Sequence, residues 1–152
     1  MGCIRIQAGD FSVDREWSAL RERLDGNAGA VAAFVGLVRD VQGDRGSSLE
    51  LEHYPGMTER SVEAIVAEAE HRWSLAAVTV IHRVGRLQPT DQIVLVLAAS
   101  GHRSEALAAC EFIIDRLKTD AIFWKREIAG DDARWVEATD QDVERAKGWT
   151  ES

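Results

Sequence analysis

A chain of 152 residues is the length of one domain, and at that size a single core can withdraw about 68–70% of the unfolded surface from water. Its hydrophobic fraction of 45% and charged fraction of 29% belong to a globular protein, not to a disordered or fibrous one. A net charge of −8 and a pI near 5.0 exclude a general nucleic-acid binder, which needs a broad basic surface, so any anion site must be local.

Residues 4–7 read as a short edge strand, and Ser12 caps a helix to about Leu24, with Trp17, Leu20 and Leu24 at helical spacing. Residues 30–41 form a Val-rich apolar run bounded by Gly29 and by the polar loop 42–48, which predicts a buried strand. Residues 49–54 alternate, so they predict a half-exposed strand pairing with the preceding one across that loop. Pro55-Gly56 turns the chain, and a helix runs from Thr58 to about Trp73 with Val62, Ile65, Val66 and Ala69 on one face. Strands at 77–84 and 92–99 follow, then a helix at 104–118 with Leu107, Cys110, Ile114 and Leu117 inward. Strands at 122–128 and 134–138 come next, and Thr139 with Asp142 predicts a capping box opening a C-terminal helical tail, residues 139–152. The order βαββαββαββ, with local hairpins and no GxGxxG or GxxxxGK[ST], predicts one α+β domain over 1–152 with a mixed or largely antiparallel sheet.

Cys3 and Cys110 are too few for a metal site or a CxxC redox motif and point to a reducing compartment. No run approaches ~18 apolar residues and the N-terminus has no apolar signal region, so a cytoplasmic protein is expected. His53 and His82 sit in strand patterns without a second ligand at suitable spacing; they read as structural histidines, and no metal is expected. Cys110 reads as a small core hydrophobe.

Three places are candidates for chemistry. Lys118 closes an otherwise apolar helix and Lys125 lies in the following strand, sharing a strand face with Phe123 and Glu127, so both ammonium groups can enter one pocket. A lysine that is partly desolvated or set beside another cation loses pKa and becomes a usable base or nucleophile; helix-dipole placement and cross-strand pairing are the structural alternatives. His102 and Arg103 fall where a strand ends and a helix begins, where unpaired N–H groups can bind phosphate; the alternative is that the two side chains only solvate a connecting turn. Arg39, beyond the apolar strand, offers a fork for phosphate or carboxylate, or a surface ion pair with Asp40 or Asp44.

Four ordered motifs bear a resemblance to a known family: Leu51-Glu52-His53-Tyr54-Pro55-Gly56-Met57-Thr58-Glu59, Val80-Ile81-His82-Arg83-Val84-Gly85, Ser100-Gly101-His102-Arg103-Ser104 and Phe123-Trp124-Lys125-Arg126-Glu127. Together, from about Ala30 to Trp149, they resemble the catalytic (large) subunit of molybdopterin synthase. The resemblance implies an α/β-hammerhead with an additional small antiparallel β-subdomain, and a homodimer flanked by two small ubiquitin-like sulfur carriers ending in Gly-Gly. It implies transfer of two sulfurs from the carrier thiocarboxylate to cyclic pyranopterin monophosphate, with no bound cofactor. Lys118 and Lys125 then match the family's catalytic lysines. Arg39, His102 and Arg103 match its substrate-binding positions, with His102 and Arg103 reaching the phosphate from the neighbouring subunit. Arg126 and Glu127 complete the motif, and Leu37 and Val38 line the same wall. Leu37 stands where some relatives carry lysine, and the 42–48 loop matches poorly. The competing reading is a non-enzymatic α+β domain that binds a phosphorylated metabolite; a phosphate-ester hydrolase is disfavoured for want of a metal cluster or a nucleophile–base pair.

Overall fold

The structure is a computed structural model that describes residues 2–40, 47–129, 132–136 and 139–150, the side chains of residues 47, 129 and 132–136 excepted. The elements are β1 (Gly2–Gln7), α1 (Val13–Glu22), β2 (Ala30–Leu37), β3 (Ser47–His53), α2 (Met57–Arg72), β4 (Leu75–Arg83), β5 (Gly85–Leu87), β6 (Gln92–Ser100), α3 (Arg103–Thr119), β7 (Phe123–Ala129), β8 (Asp132–Val136) and α4 (Asp140–Thr150).

They form two four-stranded sheets, ordered β1-β4-β6-β2 and β5-β3-β7-β8. In the first, only β1 and β4 run parallel. The second is antiparallel throughout. The α+β architecture is the one the pattern of elements predicts, and the smaller antiparallel sheet beside the mixed one is what the family resemblance implies.

Central strands β4 and β6 are buried on both faces, which explains why they read as continuous apolar runs. One face, with Val78, Val80, Val94, Val96 and Ala98, packs under α2 and α3 through Val62, Ile65, Val66, Ala109, Phe112 and Ile113. The other face, with Ala77, Ile81, Leu95, Leu97 and Ala99, packs on Phe11 and on Leu20 of α1. A third cluster, Val38, Leu49, Leu51, Val84 and Leu87, lies between the sheets, with Phe123 packed against it. Bifacial burial of this kind leaves the mixed sheet as the rigid body from which the site is hung.

Several elements differ from expectation. β3 does not pair with β2: β2 joins β6 in the first sheet, and β3 joins β5 and β7 in the second. The physical reason lies in β3's partners: Leu49 stands directly opposite Leu87 of β5, and Leu49 and Leu51 are buried with Val38, Val84 and Leu87 in one cluster. β2 is an edge strand, not a buried one, and its Phe34, Val35 and Leu37 are exposed. Leu107 points outward with 61% of its surface exposed, because the inward arc of α3 is centred on Ala106, Ala109, Cys110, Ile113 and Leu117. The strand β5 falls between the expected strands at 77–84 and 92–99, its three residues being too short to show a period. Val41, residues 42–46 of the polar loop, and Ala138 at the end of the last expected strand lie outside the described residues.

Candidate active site

The chain between α3 and β7 positions both lysines. Lys118 lies in the last turn of α3, where a cation meets the negative end of the helix dipole. Asp120 caps that helix, its N–H donating to the Arg116 carbonyl at 2.7 Å. The turn is then clamped from outside by the start of α2. Thr58 Oγ1 donates to the Ile122 carbonyl at 2.6 Å and accepts from the Tyr54 N–H at 2.9 Å, while the Ile122 N–H donates to Ser61 Oγ at 3.1 Å. Gly56, at φ +88°, makes the left-handed bend that lets α2 begin at this point. In β7, Lys125 stands opposite Leu51 of β3 and Val136 of β8, so it projects from a central strand of the second sheet.

Lys118 and Lys125 line one cavity of about 380 Å³, with His82, Phe123, Trp124, Leu51, Thr139 and Asp142 among the other lining residues. That volume suits a small organic ligand. Lys118 is exposed, whereas Lys125 is half-buried. Burial and the neighbouring Lys118 charge pull the Lys125 pKa below the ordinary lysine value of 10.5, with Arg39 acting in the same direction and Glu127 and Asp142 opposing it. The two lysines are thus unequal, one facing solvent and one desolvated beside it.

His82 joins them from β4. Its ring stacks on Phe123, with centroids 4.1 Å apart and planes at 25°. Burial, with both lysine charges adding to it, lowers its pKa to about 4, against the partial relief of a hydrogen bond to the Arg83 carbonyl. Its strand pattern alone predicts a structural histidine, and the structure places it in the cavity. The available signal was strand alternation, which puts His82 on the same face of β4 as Val78 and Val80, toward α3. For Thr139 and Asp142 the sequence predicts only a capping box. They do form one, with the Thr139 N–H donating to Asp142 Oδ2 at 3.2 Å and the Asp142 N–H to Thr139 Oγ1 at 3.1 Å. The same two residues line the cavity. Helix α4 is held beyond them by Trp149, which packs edge-on against Trp73 and Phe112 and donates from Nε1 to buried Asp115 at 2.7 Å.

The other sequence-derived positions divide. Arg39 is exposed and close enough to influence Lys125. Leu37 is 56% exposed at the end of β2, and Val38 is buried between the sheets beside Leu51. Arg126, on the opposite face of β7 from Lys125, pairs with Glu50 of β3. Glu127 shares the Lys125 face and acts on its charge. His102 and Arg103 are exposed at the start of α3, fifteen residues and about 22 Å from Lys118 at its end. A single chain therefore does not bring them to the lysine cavity. Their turn is held by close backbone approach: the Gly29 N–H donates to the Ser100 carbonyl at 2.9 Å, and a Cβ on Gly29 would lie 2.5 Å from the Gly101 oxygen.

Cys110 is buried, and burial raises its thiol pKa to about 11, which makes it inert packing. No helix among the described residues is long and apolar enough to cross a membrane.

The fold and the site together define an α+β protein with one cavity that two lysines line, one exposed and one half-buried. The MoaE protein family model matches residues 6–120, and the chain belongs to that family. It is 53% identical over 150 residues to a molybdopterin synthase catalytic subunit of Ralstonia nicotianae, covering 98% of this chain and 85% of that one. The molybdopterin biosynthesis MoaE protein from Burkholderia ambifaria superposes with a TM-score of 0.85 at 49% identity, covering 99% of each chain. A complex of subunits 1 and 2 of molybdopterin-converting factor from Helicobacter pylori shares the fold, with a TM-score of 0.73 at 22% identity over 88% of this chain and 89% of that one.

Proposed function

We propose that this chain is the catalytic subunit of a molybdopterin synthase, a sulfurtransferase of molybdenum cofactor biosynthesis. It transfers two sulfurs from the thiocarboxylated C-terminus of a small ubiquitin-like carrier ending in Gly-Gly to cyclic pyranopterin monophosphate, forming the dithiolene. The observation that carries the reading is the asymmetric lysine pair in one cavity, in a chain about half identical to proteins bearing that name. Neither cysteine lines the cavity, which suits an enzyme whose sulfur arrives on another protein.

Exposed Lys118 meets the incoming carrier tail and polarises or deprotonates the thiocarboxylate–substrate encounter. Lys125, with its depressed pKa, positions the pterin and stabilises anionic intermediates. Arg39 adds charge to the same pocket. His102 and Arg103 hold the substrate phosphate of the neighbouring copy, because they stand at the far end of α3 from their own lysines. The working unit is accordingly a homodimer carrying two carriers. The exposed apolar edge of β2, with Phe34, Val35 and Leu37, supports burial against another chain. Free thiols and the absence of a membrane-spanning helix among the described residues suit action in the cytoplasm.

Reconstitution with thiocarboxylated carrier and cyclic pyranopterin monophosphate, assayed for dithiolene, tests the reading. Lys118→Ala should lower turnover by about 10²–10⁴-fold, the range for a lost acid–base group, while leaving the melting temperature near that of the parent. Lys118→Arg keeps the charge but not proton transfer and so separates the two roles. Normal turnover by Lys118→Ala would remove the assignment. Binding of the phosphorylated substrate without any carrier-dependent product would favour a metabolite-sensing domain instead.

A further inference from the structure

We propose that His82 is a substrate-orienting residue, whose imidazole Nε2 accepts a hydrogen bond from an N–H group on the heterocyclic ring of the substrate. The inference rests on reading the lysine cavity as the substrate pocket, and it adds a recognition element that neither lysine can supply.

Geometry determines which nitrogen is available. Nδ1 lies 2.8 Å from the Arg83 carbonyl oxygen, and a carbonyl only accepts, so Nδ1 carries the proton and Nε2 carries the lone pair. Stacking on Phe123 holds the ring plane, so the lone pair has a set direction. Among the described residues Nε2 has no hydrogen-bond partner, yet the ring lines the cavity with Lys118 and Lys125. An acceptor left open in a polar pocket is matched by a donor on the ligand.

Electrostatics decides the form of the ring. Lys118 from α3, Lys125 from β7 and the ring's own burial all oppose an imidazolium, so at neutral pH the ring is an acceptor and not an acid. Around it, the ammonium groups of Lys118 and Lys125 offer only donors, which suit phosphate and carbonyl oxygens. A ligand that also carries ring N–H groups needs the complementary partner. Asp142 and Thr139 also line the cavity and cap α4 through Asp142 Oδ2 and Thr139 Oγ1, so the other acceptor there, Asp142 Oδ1, is charged and lies on α4, whereas that of His82 is neutral. His82 is a neutral acceptor on the rigid mixed sheet, placed so that a misoriented ring leaves its lone pair unmet.

Two variants separate acceptance from packing. His82→Asn keeps a donor for the Arg83 carbonyl but has no group at the Nε2 position, whereas His82→Gln places an amide oxygen there. His82→Asn should weaken binding of cyclic pyranopterin monophosphate, measured by calorimetry, by about 10–100-fold, the range for an unmade buried hydrogen bond. It should raise KM in the reconstituted assay by a similar factor while kcat changes little, and His82→Gln should recover most of the loss. In the wild-type protein labelled with [15N]histidine, saturating substrate should shift the Nε2 resonance of His82 in the direction of hydrogen-bond acceptance, a readout independent of how the variants fold. Unchanged affinity in His82→Asn, equal impairment of both variants, or an Nε2 resonance that ignores the substrate would each overturn the role of His82 while leaving the synthase reading intact. Wild-type protein that neither binds nor converts the substrate would overturn both.

Discussion

Lys125 shows how burial changes a residue type that usually stands in solvent. Its pKa is lowered first by burial and then by Lys118, so the two amines are electrostatically linked. Removing the Lys118 charge with Lys118→Gln should raise the Lys125 pKa toward the ordinary value, which Lys side-chain NMR titration will register; a downward shift or none would mean that the two charges do not share a pocket. His82 makes the converse prediction for stability. The unfolded ring takes a proton near pH 6.5 and the folded ring only near pH 4. Between those values the unfolded chain binds more protons, so this contribution to stability is complete above about pH 6.5 and is lost as pH falls toward 4. The loss amounts to at most about 3 kcal/mol. Urea midpoints measured from pH 7.5 down to 4 should fall, and in His82→Gln the fall should be shallower.

At the scale of elements, the site depends on a junction rather than on a loop. The N-terminus of α2 grips the α3–β7 turn through Thr58 and Ser61, tying the strand that bears Lys125 to the helix that bears Lys118. Thr58 is fully buried, so Thr58→Val keeps the volume but leaves the Ile122 carbonyl and the Tyr54 N–H without this partner. The expected cost is about 1–3 kcal/mol, visible as a lower melting temperature, together with a loss of turnover larger than the stability change explains. A variant that is destabilised but fully active at low temperature would show that the clamp serves stability alone.

At the scale of the whole molecule, the residues proposed here to bind ligand stand at the two ends of α3, and that division has a testable kinetic consequence. If each pocket takes its lysines from one copy and its phosphate-binding His102 and Arg103 from another, then Lys118→Ala and Arg103→Ala chains complement each other. Each is impaired alone. A mixed dimer contains one pocket with both changes and one with neither, so co-refolded mixtures should recover activity that neither variant has. Mixtures no more active than the separate variants would place the phosphate site within one chain. The acidic surface, at a net charge of −8, confines anion attraction to these local cationic pockets.

Much of this organisation is written in local pattern. The bifacially apolar β4 and β6, the capping box at Thr139 and Asp142, the helix end at Lys118 and the alternation that puts Lys125 beside Phe123 depend on neighbours a few residues away, and periodicity reports neighbours. What periodicity cannot report is partnership between distant segments. It paired β3 with β2, because adjacency in sequence is the only guide when the competing partners, β5 and β7, lie dozens of residues downstream. It turned Leu107 inward because an apolar side chain on a mostly apolar helix does not reveal which arc meets the sheet. His82 looked like an ordinary strand histidine until the tertiary structure set Phe123 against its ring and the two lysines around it. The sequence by itself determined which residue types were available, the elements that carry them and the lysine pair. Only the tertiary structure decided which of them share a low-dielectric space, since desolvation and charge coupling arise from three-dimensional proximity and not from spacing along the chain.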